Sequence, residues 1–109
     1  WVMAANVETI TVTAAGRGSV HNTLDGTNAD AITIAVATGQ QVLATLINRS
    51  AGDITFRLDG TTAVAGADGT YILPAGKDYP FIVRGTTVVS IIAGSALAYS
   101  LQAAPATDG

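Results

Sequence analysis

Residues 9–14 alternate between hydroxyl and apolar side chains. Thr9, Thr11 and Thr13 occupy one phase; Ile10, Val12 and Ala14 occupy the other. A period of two sends successive side chains to opposite faces, so the stretch predicts a strand with one buried face. Ile32, Ile34 and Val36 resume the pattern, and Gly39 ends it. Val42, Leu43, Leu46 and Ile47 fit a helical stripe or a strand buried on both faces; the strand fits the surrounding β pattern better. Ile54, Phe56 and Leu58 against Thr55 and Arg57 give the clearest alternation in the chain. The connection 49–53 has the length and turn composition of a hairpin. Tyr71, Ile72 and Leu73 form a short strand that stops at Pro74. Pro74 to Gly76 reads as a turn, because Pro fixes φ and Gly permits positive φ. Tyr79, Phe81 and Val83, then 88–93, then Leu97, Tyr99 and Leu101 give three further strands.

Between 15 and 29 the periodicity disappears. Gly16, Gly18, Asn22, Gly26 and Asn28 mark a flexible loop over about 15–29. Loops of that length are uncommon in compact domains and often carry function. The residues from 103 to 109 include Pro105, show no pattern, and read as a flexible tail. About eight short strands, frequent turn signals and no helical segment predict an all-β fold. The expected architecture is an antiparallel β-sandwich or small jelly-roll-like barrel, formed as one domain over 1–109. Met3 followed by two alanines reads as a start, with Trp1 and Val2 outside it. No basic segment leading into a long apolar run opens the chain, so no secretory leader is expected.

Composition narrows what such a domain does. Apolar residues make up 49% of the 109 positions, enough for a core. Charged residues make up 12%, where a soluble domain averages ~25%. A surface covered by Thr, Ser, Asn, Gly and Ala docks on other proteins at little desolvation cost. The net charge is −3, and the five cations, Arg17, Arg49, Arg57, Lys77 and Arg84, are scattered. Nucleic-acid binding needs clustered cations to displace counterions, so no nucleic-acid partner is expected. The longest apolar-rich stretch, 86–101, is interrupted by Ser90, Gly94, Ser95 and Ser100, and no membrane partner is expected. There is no cysteine, which excludes disulfides and thiolate metal sites.

Candidate chemistry is sparse. His21 is the only histidine, with Ser19 and Asp25 nearby in sequence. A catalytic triad needs rigid supports and an oxyanion hole, so three residues of one loop read as polar surface. One histidine cannot build a multi-histidine metal centre. Asp25, Asn28 and Asp30 do not follow the spacing of a twelve-residue calcium loop, and Asp and Asn at such places cap turns. No catalytic residue, cofactor or metal is expected. The candidate interaction residues are Arg17, Ser19, His21, Asn22, Asp25 and Asn28. The candidate exposed aromatics are Tyr71 and Tyr79, which flank the Pro74 turn; they leave a carbohydrate-binding module open as an alternative.

Residues 44–102 carry a recognisable order of turns. Asn48, Arg49 and Ser50 end an apolar strand. A strand over 54–58 runs into Asp59, Gly60, Thr61, Thr62 and Ala63. Asp68 and Gly69 follow, then Leu73, Pro74, Ala75 and Gly76, an aromatic-rich strand, 88–93 closed by Gly94 and Ser95, and a last strand to Leu101. This order resembles small β-sandwich structural proteins of tailed bacteriophages, of the capsid decoration or cement type. The resemblance implies a non-enzymatic virion protein on the capsid surface, assembled in the host cytoplasm. It would bridge and stabilise major capsid subunits. Its implied partners are the major capsid protein and copies of itself, a homotrimer among them. Tail, connector and fibre-base proteins use similar sandwiches and are the alternative stations.

Overall fold

The computed structural model describes residues 6–12, 18–64 and 69–106. Among these, nine strands form: β1 (Val7–Val12), β2 (Gly18–Thr23), β3 (Asp30–Val36), β4 (Val42–Asn48), β5 (Ile54–Arg57), β6 (Tyr71–Leu73), β7 (Asp78–Val83), β8 (Thr87–Ile92) and β9 (Ala98–Pro105). No helix is present among the described residues.

The connectivity follows from nested antiparallel pairs. β5 pairs with β6, β4 with β7, β3 with β8 and β2 with β9. These four pairs are one long hairpin of strands. Rolling that hairpin brings β9 beside β4 and β8 beside β5. Two sheets result, ordered β1-β3-β8-β5-β6 and β2-β9-β4-β7. Eight strands connected this way are a jelly roll. β1 is added outside the roll, parallel to β3, with Ile10 opposite Ile34.

Inward positions of both sheets form one core. Ile32, Ile34, Ile54, Phe56, Val89 and Ile91 come from the five-stranded sheet; Val42, Leu46, Tyr99 and Leu101 come from the four-stranded one. Ile32, Ile34, Ile54, Phe56, Tyr99 and Leu101 are residues that the period-two pattern assigns to apolar faces. Their β-branched and aromatic character suits a pleated, half-buried surface.

Four expectations need correction. The segment 15–29 is not one loop, because 18–23 is strand β2. Its inward positions are Gly18, Val20 and Asn22, opposite Ala103, Leu101 and Tyr99. Only one of the three is apolar, so the alternation is invisible in the sequence. Gly18 is required there: a Cβ would lie 2.3 Å from Ile10 Cγ2. The tail also begins later than expected. β9 continues through Pro105, Ala103 is buried, and Ala106 N–H donates to Gln41 O at 2.9 Å; 107–109 lie outside the described residues. β4 is central, between β9 and β7, but it is buried on one face only.

The connection 49–53 is not a hairpin, since β4 and β5 belong to different sheets. Asn48 makes it a crossover. Its buried amide donates to Gly52 O at 2.8 Å and Leu73 O at 3.0 Å, and its Oδ1 accepts from Ser50 N–H at 3.0 Å. The Pro74 turn likewise links two sheets, β6 to β7. Lys77 N–H donates to Pro74 O at 3.1 Å and Gly76 takes φ 73°, the positive value a type II turn demands.

Candidate functional site

The sequence-predicted interaction residues do not form one site. Arg17 lies outside the described residues. Ser19, His21 and Asn22 lie on β2, whose pleat sends the first two outward and the third inward. Asp25 and Asn28 lie in the turn that follows. There the Asp25 carboxylate accepts from Asn28 N–H at 2.7 Å, Thr27 N–H at 2.8 Å and Asn28 Nδ2 at 2.8 Å. These bonds, the Asn28 amide first, hold its carboxyl below the usual range. The turn itself uses the carboxylate, as short polar side chains do beside Gly.

Outward-facing His21 has partners that sequence reasoning missed. Its Nδ1 lies 2.7 Å from Ser100 Oγ and its Nε2 lies 3.2 Å from Ser19 Oγ. Ser100 Oγ also accepts from Arg49 Nε at 2.6 Å. Arginine can only donate, so Ser100 Oγ accepts from Arg49 and keeps a hydrogen and a second lone pair for His21 Nδ1. The chain His21–Ser100–Arg49 ties β2 and the end of β4 to β9. Ser100 sits on the polar phase of β9, the one signal the sequence offered. These bonds strap three strands together on the outward face.

Inward-facing Asn22 belongs to a buried polar cluster. Tyr99 O–H donates to Asp30 Oδ2 at 2.6 Å, and Asn22 Nδ2 donates to the Tyr99 phenol oxygen at 3.2 Å and to Glu8. Asp30 is fully buried and also accepts from Asn6 N–H and Asn6 Nδ2, both at 2.9 Å. Burial, followed by the bond to Asp30, pushes the Tyr99 phenol far above its usual range. Every partner is satisfied, so the cluster fixes β1 and β2 against β3 and β9.

Two exposed features remain. The first is the outward face of the four-stranded sheet. Leu43 is 44% exposed and stands opposite Ile82, 45% exposed, in the β4–β7 register. Ala104 flanks Leu43 on the other side. A shallow groove of about 430 Å³ runs there, lined by Gly18, Ser19, Leu43, Thr45, Gln102, Ala103 and Ala104. Along the four strands the outward positions carry one charged residue, Asp78.

The second is the seam where edge strands β6 and β7 meet. Tyr71 is 55% exposed and Tyr79 is 38% exposed. Their ring centroids are 6.4 Å apart with planes at 23°, and Tyr79 and Phe81 are 5.9 Å apart at 29°. Buried Phe56 supports both tyrosines at 5.6 and 5.2 Å. No group of three or more His, Asp or Glu side chains among the described residues could hold a metal ion.

No family model matches the sequence, and no curated protein matches it. Solved structures do. One is a protein of the Bacillus endospore appendages, described as disulfide-linked pili, at 19% identity and TM-score 0.52 over 83% of this chain and 84% of that one. Another is the pre-peptidase C-terminal domain of collagenase from Bacillus anthracis, at 14% identity and TM-score 0.59 over 94% of this chain and 98% of that one. At these identities the likeness is one of fold: the chain is an all-β sandwich domain, of a kind found both in a pilus protein and in a non-peptidase domain of an enzyme.

Proposed function

We propose that the chain is a non-enzymatic structural subunit that works by docking, and that its station is the outer surface of a tailed-phage capsid. There it bridges and stabilises neighbouring major capsid subunits. The observation that carries this reading is the outward face of the four-stranded sheet. It pairs exposed Leu43 with Ile82 beside a shallow groove, with Asp78 as its charged strand residue and Arg49 reaching it at Ser100. Charge depletion with an apolar centre is the composition of an interface core.

Supporting arguments come from chemistry and fold. The chain has no cysteine, so no disulfide joins it to a neighbour through these residues, unlike a disulfide-linked pilus. Non-covalent subunits hold to a lattice through many repeated weak contacts. Jelly rolls are common in viral capsid domains, an analogy at the level of fold. The turn order over 44–102 resembles phage decoration proteins.

The test is the copy number of this protein in purified particles, measured by mass spectrometry beside the major capsid protein. A number comparable to the capsid subunit's is expected, together with loss of co-sedimentation in Leu43→Glu. Particles lacking the protein would refute the reading, and a few copies per particle would move it to a connector or tail.

A further inference from the structure

Tyr71 and Tyr79 lie on the inward phases of β6 and β7, opposite Phe56 and Leu46, which are both buried. Elsewhere inward residues are covered by the facing sheet. These two are not, because β6 and β7 are edge strands of different sheets. The rings of Tyr71, Tyr79 and Phe81 form a row along that seam, with neighbouring planes within 23° and 29° of parallel. Phe56 lies behind both tyrosines, and the hydrogen-bonded Pro74–Lys77 turn fixes one strand against the other. The row is therefore built before any ligand arrives. A simple plug for the seam would need no exposed tyrosine at 55%.

We infer that this aromatic row binds a neutral glycan chain through the C–H faces of its pyranose units. Each C–H carries a small positive charge, and an aromatic face is negative, so a sugar face lies flat on a ring where water gains little. The ring centroids follow one another at 6.4 and 5.9 Å. The Arg57–Asp59 pair leaves β5 on the phase opposite to Phe56, with the Arg57 side chain only 17% exposed, so the rings and not the charges carry the binding. The charges there balance: Arg57 faces Asp59 at 2.5 Å, and Lys77 is followed by Asp78. Nothing favours an anionic ligand. A stacked nucleic-acid strand would need a cationic track for its phosphates. The inference is independent of the docking face, which is the outward side of the four-stranded sheet, whereas Tyr79 and Phe81 lie on the inward phase of its edge strand β7.

The experiment is native gel electrophoresis of the whole chain through hydroxyethylcellulose, soluble starch, galactomannan and xylan. Retardation by at least one polysaccharide is expected. Tyr71→Ala and Tyr79→Ala should each weaken it about tenfold, while Tyr71→Phe keeps it. Ile72→Ala is the control, since Ile72 is 67% exposed but points to the opposite side of β6. Circular dichroism confirms that each variant folds. No retardation by any of the four polymers overturns the inference, and so does equal retardation of the tyrosine-to-alanine variants. If Tyr71→Ala instead converts a dimer to a monomer in sedimentation, the row is an interface between copies and the inference also fails.

Discussion

Tyr99→Phe isolates the most deeply buried polar interaction in the molecule. The ring stays in the core, where Tyr99 has no exposed surface. Only the hydroxyl is lost. With it go the 2.6 Å bond to the Asp30 carboxylate and the 3.2 Å bond accepted from Asn22. A hydrogen bond to a charged group contributes about 1.5–3 kcal/mol net. Asp30 keeps its two bonds from Asn6 and Asn22 keeps Glu8, so the loss should fall near the middle, about 2 kcal/mol. For a domain of this size that lowers the melting midpoint by roughly 10 °C. The same variant carries a pH signature. The Tyr99 phenol is raised above its ordinary value of 10.0, chiefly by burial. Above pH 10 the unfolded chain releases this proton and the folded chain keeps it. The unfolded state then binds fewer protons, so stability falls as pH rises. The contribution is complete below pH 10 and is lost above it, at up to about 1.4 kcal/mol per pH unit. Urea unfolding of both proteins at pH 7, 10 and 11 reads the effect. The gap between wild type and variant should narrow from pH 10 to 11. A loss under about 0.5 kcal/mol at pH 7, or a gap that does not change with alkaline pH, would refute the reasoning.

Gly18→Ala forces a methyl group to within 2.3 Å of Ile10 Cγ2, so β1 and β2 must separate or Ile10 must leave its rotamer; urea unfolding should show a loss of about 1–3 kcal/mol. Asn48→Ala takes the side-chain donor from Leu73 O and the acceptor from Ser50 N–H, while Gly52 O keeps Ser50 Oγ, and a loss of about 2–3 kcal/mol is expected by thermal unfolding. Leu43→Glu should leave stability within about 0.5 kcal/mol, because the side chain is exposed on the outward face, while particle occupancy collapses. Ser100→Ala removes the shared partner of His21 and Arg49; amide exchange along β2 should accelerate while the core of β4 stays protected.

The sequence made the strands of the inner core legible because their inward positions are apolar without interruption: Ile32 and Ile34, Ile54 and Phe56, Tyr99 and Leu101. It concealed β2 because tertiary structure asks other things of that strand. Gly18 must be small for Ile10, and Asn22 must reach Tyr99 and Glu8. Neither demand leaves a period. The 49–53 turn announced a reversal of direction but not the sheet that receives the next strand; that is decided by Asn48 reaching Leu73, 25 residues away. Among candidate residues, Tyr71 and Tyr79 were visible because they bracket a Pro-Gly turn. Ser100 and Arg49 were not, since they meet His21 only after β2 and β9 pair.

The edges of the sheets bear on how such a domain can assemble. A strand edge with free backbone groups invites addition of a neighbour's strand. On the β6–β7 side this invitation is weak. β6 has three residues, and β7 carries Pro80, which offers no amide hydrogen and is tolerated because β7 is an edge. The shortness of β6 and Pro80 of β7 thus discourage pairing on that side while the tyrosines cover its seam. The outward face of β2-β9-β4-β7 has no such obstruction, and its centre at Leu43, Ile82 and Ala104 is apolar. Contact through a sheet face buries side chains and leaves the host's own ladders intact. On the proposed docking role, a subunit that joins its partner through this face needs no open strand from that partner.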